Sequence, residues 1–212
     1  MTDNTENLIA TLANTMEPVT RAAPPLVLFL KWFCCALIYL ALLTFIWPPR
    51  PDIALKLHSP LYLAEVVALI MVMISSGLSA TALSFPDLHQ KRWLVFAPVI
   101  PILLFVTVLA IEWLADNPPA PAPVHSFECL QCIILLTILP AAGMLYMLRK
   151  QASIHYYLAG GIALIAASSV GCLTLRIAEN TDCIYHLITW HYLPMIGFGI
   201  IGIWLGRKFL KW

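Results

Sequence analysis

The sequence predicts an all-α fold: a polytopic membrane protein, a bundle of six transmembrane helices with a short cytoplasmic N-terminal amphipathic helix. Three observations predict it. Hydrophobic residues make up 61% of the 212-residue chain and charged residues 11%, against about 45–50% and about 25% in ordinary soluble domains. Six long apolar runs lie near 25–47, 60–83, 93–115, 127–148, 154–176 and 187–206. A hydrocarbon core roughly 30 Å thick asks for about 20 such residues in a helix. Lys and Arg, finally, distribute unequally between alternate connections.

The chain divides at residue 23. Residues 1–23 form a soluble N-terminal segment, and 24–212 the six-helix transmembrane domain. In NLIATLANTMEPV, Leu8, Leu12 and Met16 recur four apart, with Ile9 and Val19 beside them. That is one apolar stripe on a short helix. Asn4 or Thr5 suits its N-cap, and Pro18 ends it near Met16 or Glu17. Three turns are marginal alone in water, so the stripe requires a surface to pack on. The bilayer surface and a soluble partner both qualify, although no Lys/Arg face favours lipid. The opening residues do not read as a secretory signal peptide.

The first span, Pro24 to Trp47, carries a single charge, Lys31, near enough to an end to snorkel. Small residues in the second, fifth and sixth spans, among them Gly77, Gly160, Gly161, Gly202 and Gly206, allow close helix approach. Pro98, Pro101, Pro140 and Pro194 are expected to kink their helices. The connection DNPPAPAPV is too rich in proline for helix. With the N-terminus inside, Arg21, Lys91, Arg92, Arg149, Lys150, Arg207, Lys208 and Lys211 are inner, and Arg50, Lys56 and Arg176 are outer. Eight against three places both termini in the cytoplasm.

Charged and imidazole groups inside a membrane are the first functional candidates. Glu65, Glu112, Arg176 and His191 all fall in the outer half of their spans, where Glu65 or Glu112 is expected to pair with Arg176. No comparable groups continue through the inner half, which argues against a proton or ion relay. Net charge is +1, so no basic field points to nucleic acid. No GxSxG, HExxH or phosphate-binding glycine loop is present, and nothing points to an enzyme.

Six cysteines divide by place. Cys34, Cys35 and Cys172 lie within spans and read as small hydrophobes. Cys129 and Cys132 open the fourth span as a CxxC one helical turn apart, and Cys183 lies in the last outer loop. With His186 close in sequence, Cys129, Cys132 and Cys183 form a candidate soft-metal set for zinc, cadmium or copper(I), bound transiently and not as a required cofactor. One structural disulfide with a leftover thiol accounts for the same spacing.

Three stretches carry a family resemblance. NLIATLANTMEPVTRAAPP, CLQCIILLTILPAAGMLYMLRK and CIYHLITWHYLPMIGFGIIGIWLGRKFLKW, in this order, resemble the opening, fourth span and ending of NrsF-type anti-sigma factors. Cys132 has no counterpart in that pattern. The resemblance implies a bacterial inner-membrane protein that sequesters an extracytoplasmic-function sigma factor through its cytoplasmic N-terminal segment. Leu8, Ile9, Leu12, Met16, Val19 and Arg21 become the contact set. It implies release when periplasmic cysteines, by position Cys129 and Cys183, sense oxidant or heavy metal. The competing reading is a small transporter or metal-handling membrane protein using outer Cys, His and carboxylate groups.

Overall fold

A computed structural model describes residues 2–15, 23–85, 93–116, 126–151 and 153–211. Among them the fold is all helical. Helix α1 (Thr2–Thr15) precedes the bundle. The six spans are α2 (Pro25–Ile46), α4 (Pro60–Leu83), α5 plus α6 (Trp93–Phe96 and Val99–Ala115), α7 (Ser126–Arg149), α8 (Tyr156–Ala178), and α9 plus α10 (Ile184–His186 and Leu193–Phe209). A single turn, α3 (Ile53–Lys56), sits between the first two spans. All six spans are long and apolar enough to cross a membrane.

Proline sets several boundaries. Pro25 and Pro60 occupy the first turns of α2 and α4, where the missing N–H costs nothing. Pro98 separates α5 from α6. Pro140 lies within α7, and its carbonyl accepts the Trp32 indole N–H at 3.0 Å, joining α2 to α7. The sixth span starts earlier than the sequence predicts. Only about five residues, 179–183, make the turn, and Leu187–Tyr192 then runs as a π-helical segment before α10. Pro194, which cannot donate to the carbonyl four residues back, lies just beyond it.

Helix α8 is the axis of the bundle. Its residues from Ala159 to Arg176 are nearly all buried, and it packs against α4, α7 and α10. Small side chains make this possible. A Cβ at Gly160 would fall on the Gly202 carbonyl and 2.7 Å from Gly206 Cα, so α8 and α10 meet backbone to backbone. Gly171 also lies close on α7, where its Cβ would be 3.0 Å from Thr137 Oγ1 and 3.2 Å from Ile133 O. In lipid no hydrophobic force drives helix on helix, so such close packing carries the association.

The bundle has two unlike ends. The end holding Leu83, Ser153 and Gly206 is joined by small residues, as where Ser153 Oγ donates to Leu83 O at 3.1 Å. The opposite, distal end gathers residues 47–65, 112–116, 126–132 and 176–192, and with them every buried charged or imidazole side chain among the described residues.

Gly160→Ala should force α8 and α10 apart and destabilise the bundle by about 1–3 kcal/mol. Gly197→Ala, whose Cβ would meet nothing within 4 Å, should be near neutral. Unfolding of both variants in mixed detergent measures the difference.

Candidate functional site

Two side-chain groups occupy the distal end. The first is a charge network. Arg176 on α8 donates to both oxygens of Glu65 on α4, Nε at 2.9 and 3.0 Å, with Nη2 2.8 Å from Oε2. Tyr192 Oη donates to the same carboxylate. Tyr62 lies under the guanidinium, 4.5 Å from ring centroid to Cζ, and donates its hydroxyl to Arg176 O. Glu65 is 0% exposed. Of the two acids that the sequence offers Arg176, Glu65 and Glu112, Glu65 is the partner. Glu112 instead lines a cavity of about 190 Å³ beside Arg176 and Asp182.

Arg50, counted from sequence as a loop charge, is buried. Its guanidinium reaches Asp52 at 2.6 and 2.9 Å, both oxygens of Asp182 at 3.1 Å and Asn180 Oδ1 at 2.8 Å, while the Arg50 backbone N–H donates to Ile177 O. The loop after α8 is thereby fastened to the loop after α2. Lys56 adds an ion pair to Asp182 at 2.7 Å. Burial works against the charge on Asp182, but hydrogen bonds from Arg50 and Lys56 outweigh it and bring the carboxyl down to about 2.

The second group contains the thiol. Cys129, in the first turn of α7, donates to Glu179 at 3.5 Å. Glu179 caps the C-terminal end of α8. His186 Nε2 lies 3.5 Å from one Glu179 oxygen, and His191 Nε2 lies 3.0 Å from the other. Burial opposes the Glu179 charge, yet contact with His191, Cys129 and His186 holds its carboxyl below the ordinary value. One ligand atom from each of Cys129, Glu179, His186 and His191 falls within 4.8 Å of every other. Both imidazoles are fully buried, and none of their four nitrogens has an aligned hydrogen-bond partner.

The π-helical segment explains how two histidines five apart can converge. Five residues of α-helix turn the chain through roughly 140° beyond a full circle, which would aim the rings apart. The wider π turn brings their ring centroids to 5.1 Å. The Cys172 thiol donates to His191 O at 3.2 Å, fixing the segment against α8.

The candidates read from sequence separate here. Cys129 and His186 come together, but with Glu179 and His191. Cys132, one turn further along α7, packs on the apolar core outside the four-donor group. Cys183 is buried at the start of α9, also outside the group. None of the six cysteines is bridged. In the sequence Glu179 reads as one more polar residue of AENTDC. Its place at a helix exit, seven and twelve residues before two histidines, was the available signal. On α1, Leu8, Ile9 and Leu12 are 59%, 60% and 51% exposed. Met16, Val19 and Arg21 lie outside the described residues.

Residues 12–212 match the model of the family described as NrsF, negative regulator of sigma F. The chain belongs to the NrsF family. It is 27% identical over 214 residues to the anti-sigma-F factor NrsF of Caulobacter vibrioides (strain NA1000 / CB15N), covering 98% of this chain and 99% of that relative. No solved structure matches. As an NrsF-family member the chain is an anti-sigma factor, a multi-pass protein whose role is regulatory.

Glu65→Gln leaves Arg176 as an uncompensated buried charge and should destabilise the protein by about 3–5 kcal/mol. The double variant Glu65→Leu, Arg176→Met should recover most of that loss. Unfolding midpoints of the single and double variants test the pair.

Proposed function

We propose that this NrsF-family chain sits in a bacterial inner membrane with both termini in the cytoplasm. There it sequesters an extracytoplasmic-function sigma factor through its N-terminal segment. The observation that carries the reading is the state of α1. Leu8, Ile9 and Leu12 make one apolar stripe on a helix, and among the described residues all three are more than half exposed. A stripe of this spacing suits a hydrophobic groove on a soluble protein. Met16, Val19 and Arg21 extend the contact set by sequence. Docking would tether the sigma factor and cover the surface it offers to polymerase.

Release is assigned to the distal end, which in this orientation faces the periplasm. Oxidant or heavy metal acts there on Cys129 and Cys183, with Cys132 as the neighbouring thiol. Either event ties the start of α7 more firmly to the loop that follows α8. Since α8 packs on α4, α7 and α10, a shift of α7 is felt by every helix around it. A coupling of about 1–3 kcal/mol between the two ends is the usual scale for such an effect. Transport is the weaker reading, because the buried ionisable side chains among the described residues stop at the distal end.

Leu8→Asp with Leu12→Asp should abolish capture of the co-expressed sigma factor by the full-length protein in detergent, while leaving its helix content and membrane insertion unchanged. Retained capture would remove α1 as the docking element. Cys129→Ser with Cys183→Ser should keep basal repression of a sigma-dependent reporter and lose its induction by oxidant or cadmium. Induction that survives in the double variant would refute the thiol switch.

A further inference from the structure

We propose that Cys129, Glu179, His186 and His191 form a single four-coordinate site for a divalent cation of the zinc class, with Cys132 and Cys183 taking no part in it. Its physiological meaning rests on the sensing reading above. The site itself stands on geometry.

Around a tetrahedral zinc ion with ordinary bond lengths, neighbouring donor atoms lie about 3.3–3.8 Å apart. Glu179 oxygens here lie 3.5 Å from Cys129 Sγ, 3.5 Å from His186 Nε2 and 3.0 Å from His191 Nε2. The four-donor set, whole within 4.8 Å, is a slightly opened version of that tetrahedron.

The imidazoles supply an independent reason. His186 and His191 are 1% and 0% exposed, with both rings lacking aligned hydrogen bonds. Buried nitrogens in that condition lack the aligned partners that offset their desolvation, and a bound cation would supply one to each ring. Each ring turns Nε2 towards Glu179, where a cation would engage the lone pair. The neutral rings, one thiolate and one carboxylate sum to a charge of −2, which a divalent ion cancels. Charge neutrality is what a buried site demands. One sulfur, two nitrogens and one oxygen match the borderline preference of zinc better than that of copper(I), which favours thiolates, or magnesium, which favours oxygen. On binding, the Cys129 thiol gives its proton to solvent as the S–metal bond forms, one proton per ion.

The site joins three elements, α7 through Cys129, the end of α8 through Glu179, and the α9–π segment through both histidines. An ion there would clamp the two parts of the distal end that the Arg50 network leaves unlinked, namely α7 and the last loop.

The purified full-length protein, metal-stripped in detergent, is titrated with Co²⁺ as a spectroscopic probe and then with Zn²⁺. One tetrahedral Co²⁺ per chain is expected, with a sulfur charge-transfer band that Zn²⁺ erases. Zinc-edge X-ray absorption on the unmodified protein should report one sulfur and three nitrogen or oxygen neighbours. Cys132→Ser and Cys183→Ser should leave affinity within about twofold, while His191→Ala should lower it at least tenfold. Two or more sulfur neighbours, or affinity lost in Cys183→Ser but kept in His191→Ala, would overturn the site. Absorption on the unmodified chain decides the matter even if a variant fails to fold. A Zn²⁺-triggered release of sigma factor, measured alongside, separates the two readings. Mixed coordination without release upholds the site and removes zinc as the trigger, whereas release with all-sulfur coordination removes the site and leaves thiol sensing standing.

Discussion

The contact on which the distal end depends is the ion pair between Glu65 and Arg176. It lies in the distal turns of α4 and α8, both side chains buried, with Tyr192 and Tyr62 satisfying what the charges leave over. In such a medium neither charge tolerates loss of the other. The pair therefore locks α4 to α8 in one register and draws Tyr192, at the end of the π segment, against them. Arg50 then anchors the following loop through Asn180 and Asp182. With both in place, Glu179 and the two histidines have little freedom to choose where they sit.

This arrangement separates two jobs that a soluble protein would combine. At one end helices meet through glycine and alanine, which permit close approach but carry no chemistry. At the other they meet through charge, thiol and imidazole. α8 runs through both zones. Its position at the axis puts closely packed backbone between the two zones, the route that the release proposed above would use.

Much of the architecture was legible in the chain. Length and apolar content announced six spans, and glycines such as Gly160 and Gly202 marked spans able to approach closely, without naming which pair meets. The pairing of Arg176 with a buried carboxylate was legible too, because an intramembrane charge has few tolerable fates. The membership of the thiol group was not. A CxxC draws attention to Cys132, whose side chain belongs to the apolar core, and away from Glu179, which looks like any loop acid. What redirected the cluster was the π segment. It rotates His191 towards His186 by inserting extra residues into a turn, and no spacing rule for α-helices anticipates that. Arg50 escaped for a related reason. A basic residue in a connecting loop is ordinarily solvated, and only the folded loop reveals three acceptors converging on it.

The shortness of the chain between α1 and the first span has a consequence of its own. Only residues 16–24 separate Thr15 from Pro25, and nine residues can span no more than about 30 Å even when fully stretched. Any protein held by α1 is leashed to within roughly its own diameter of the lipid headgroups. At that range the bilayer is itself an obstacle: a large multisubunit enzyme could not approach the captive from the membrane side. Were α1 to hold a partner as proposed, that confinement would by itself hinder access to the partner from the membrane side.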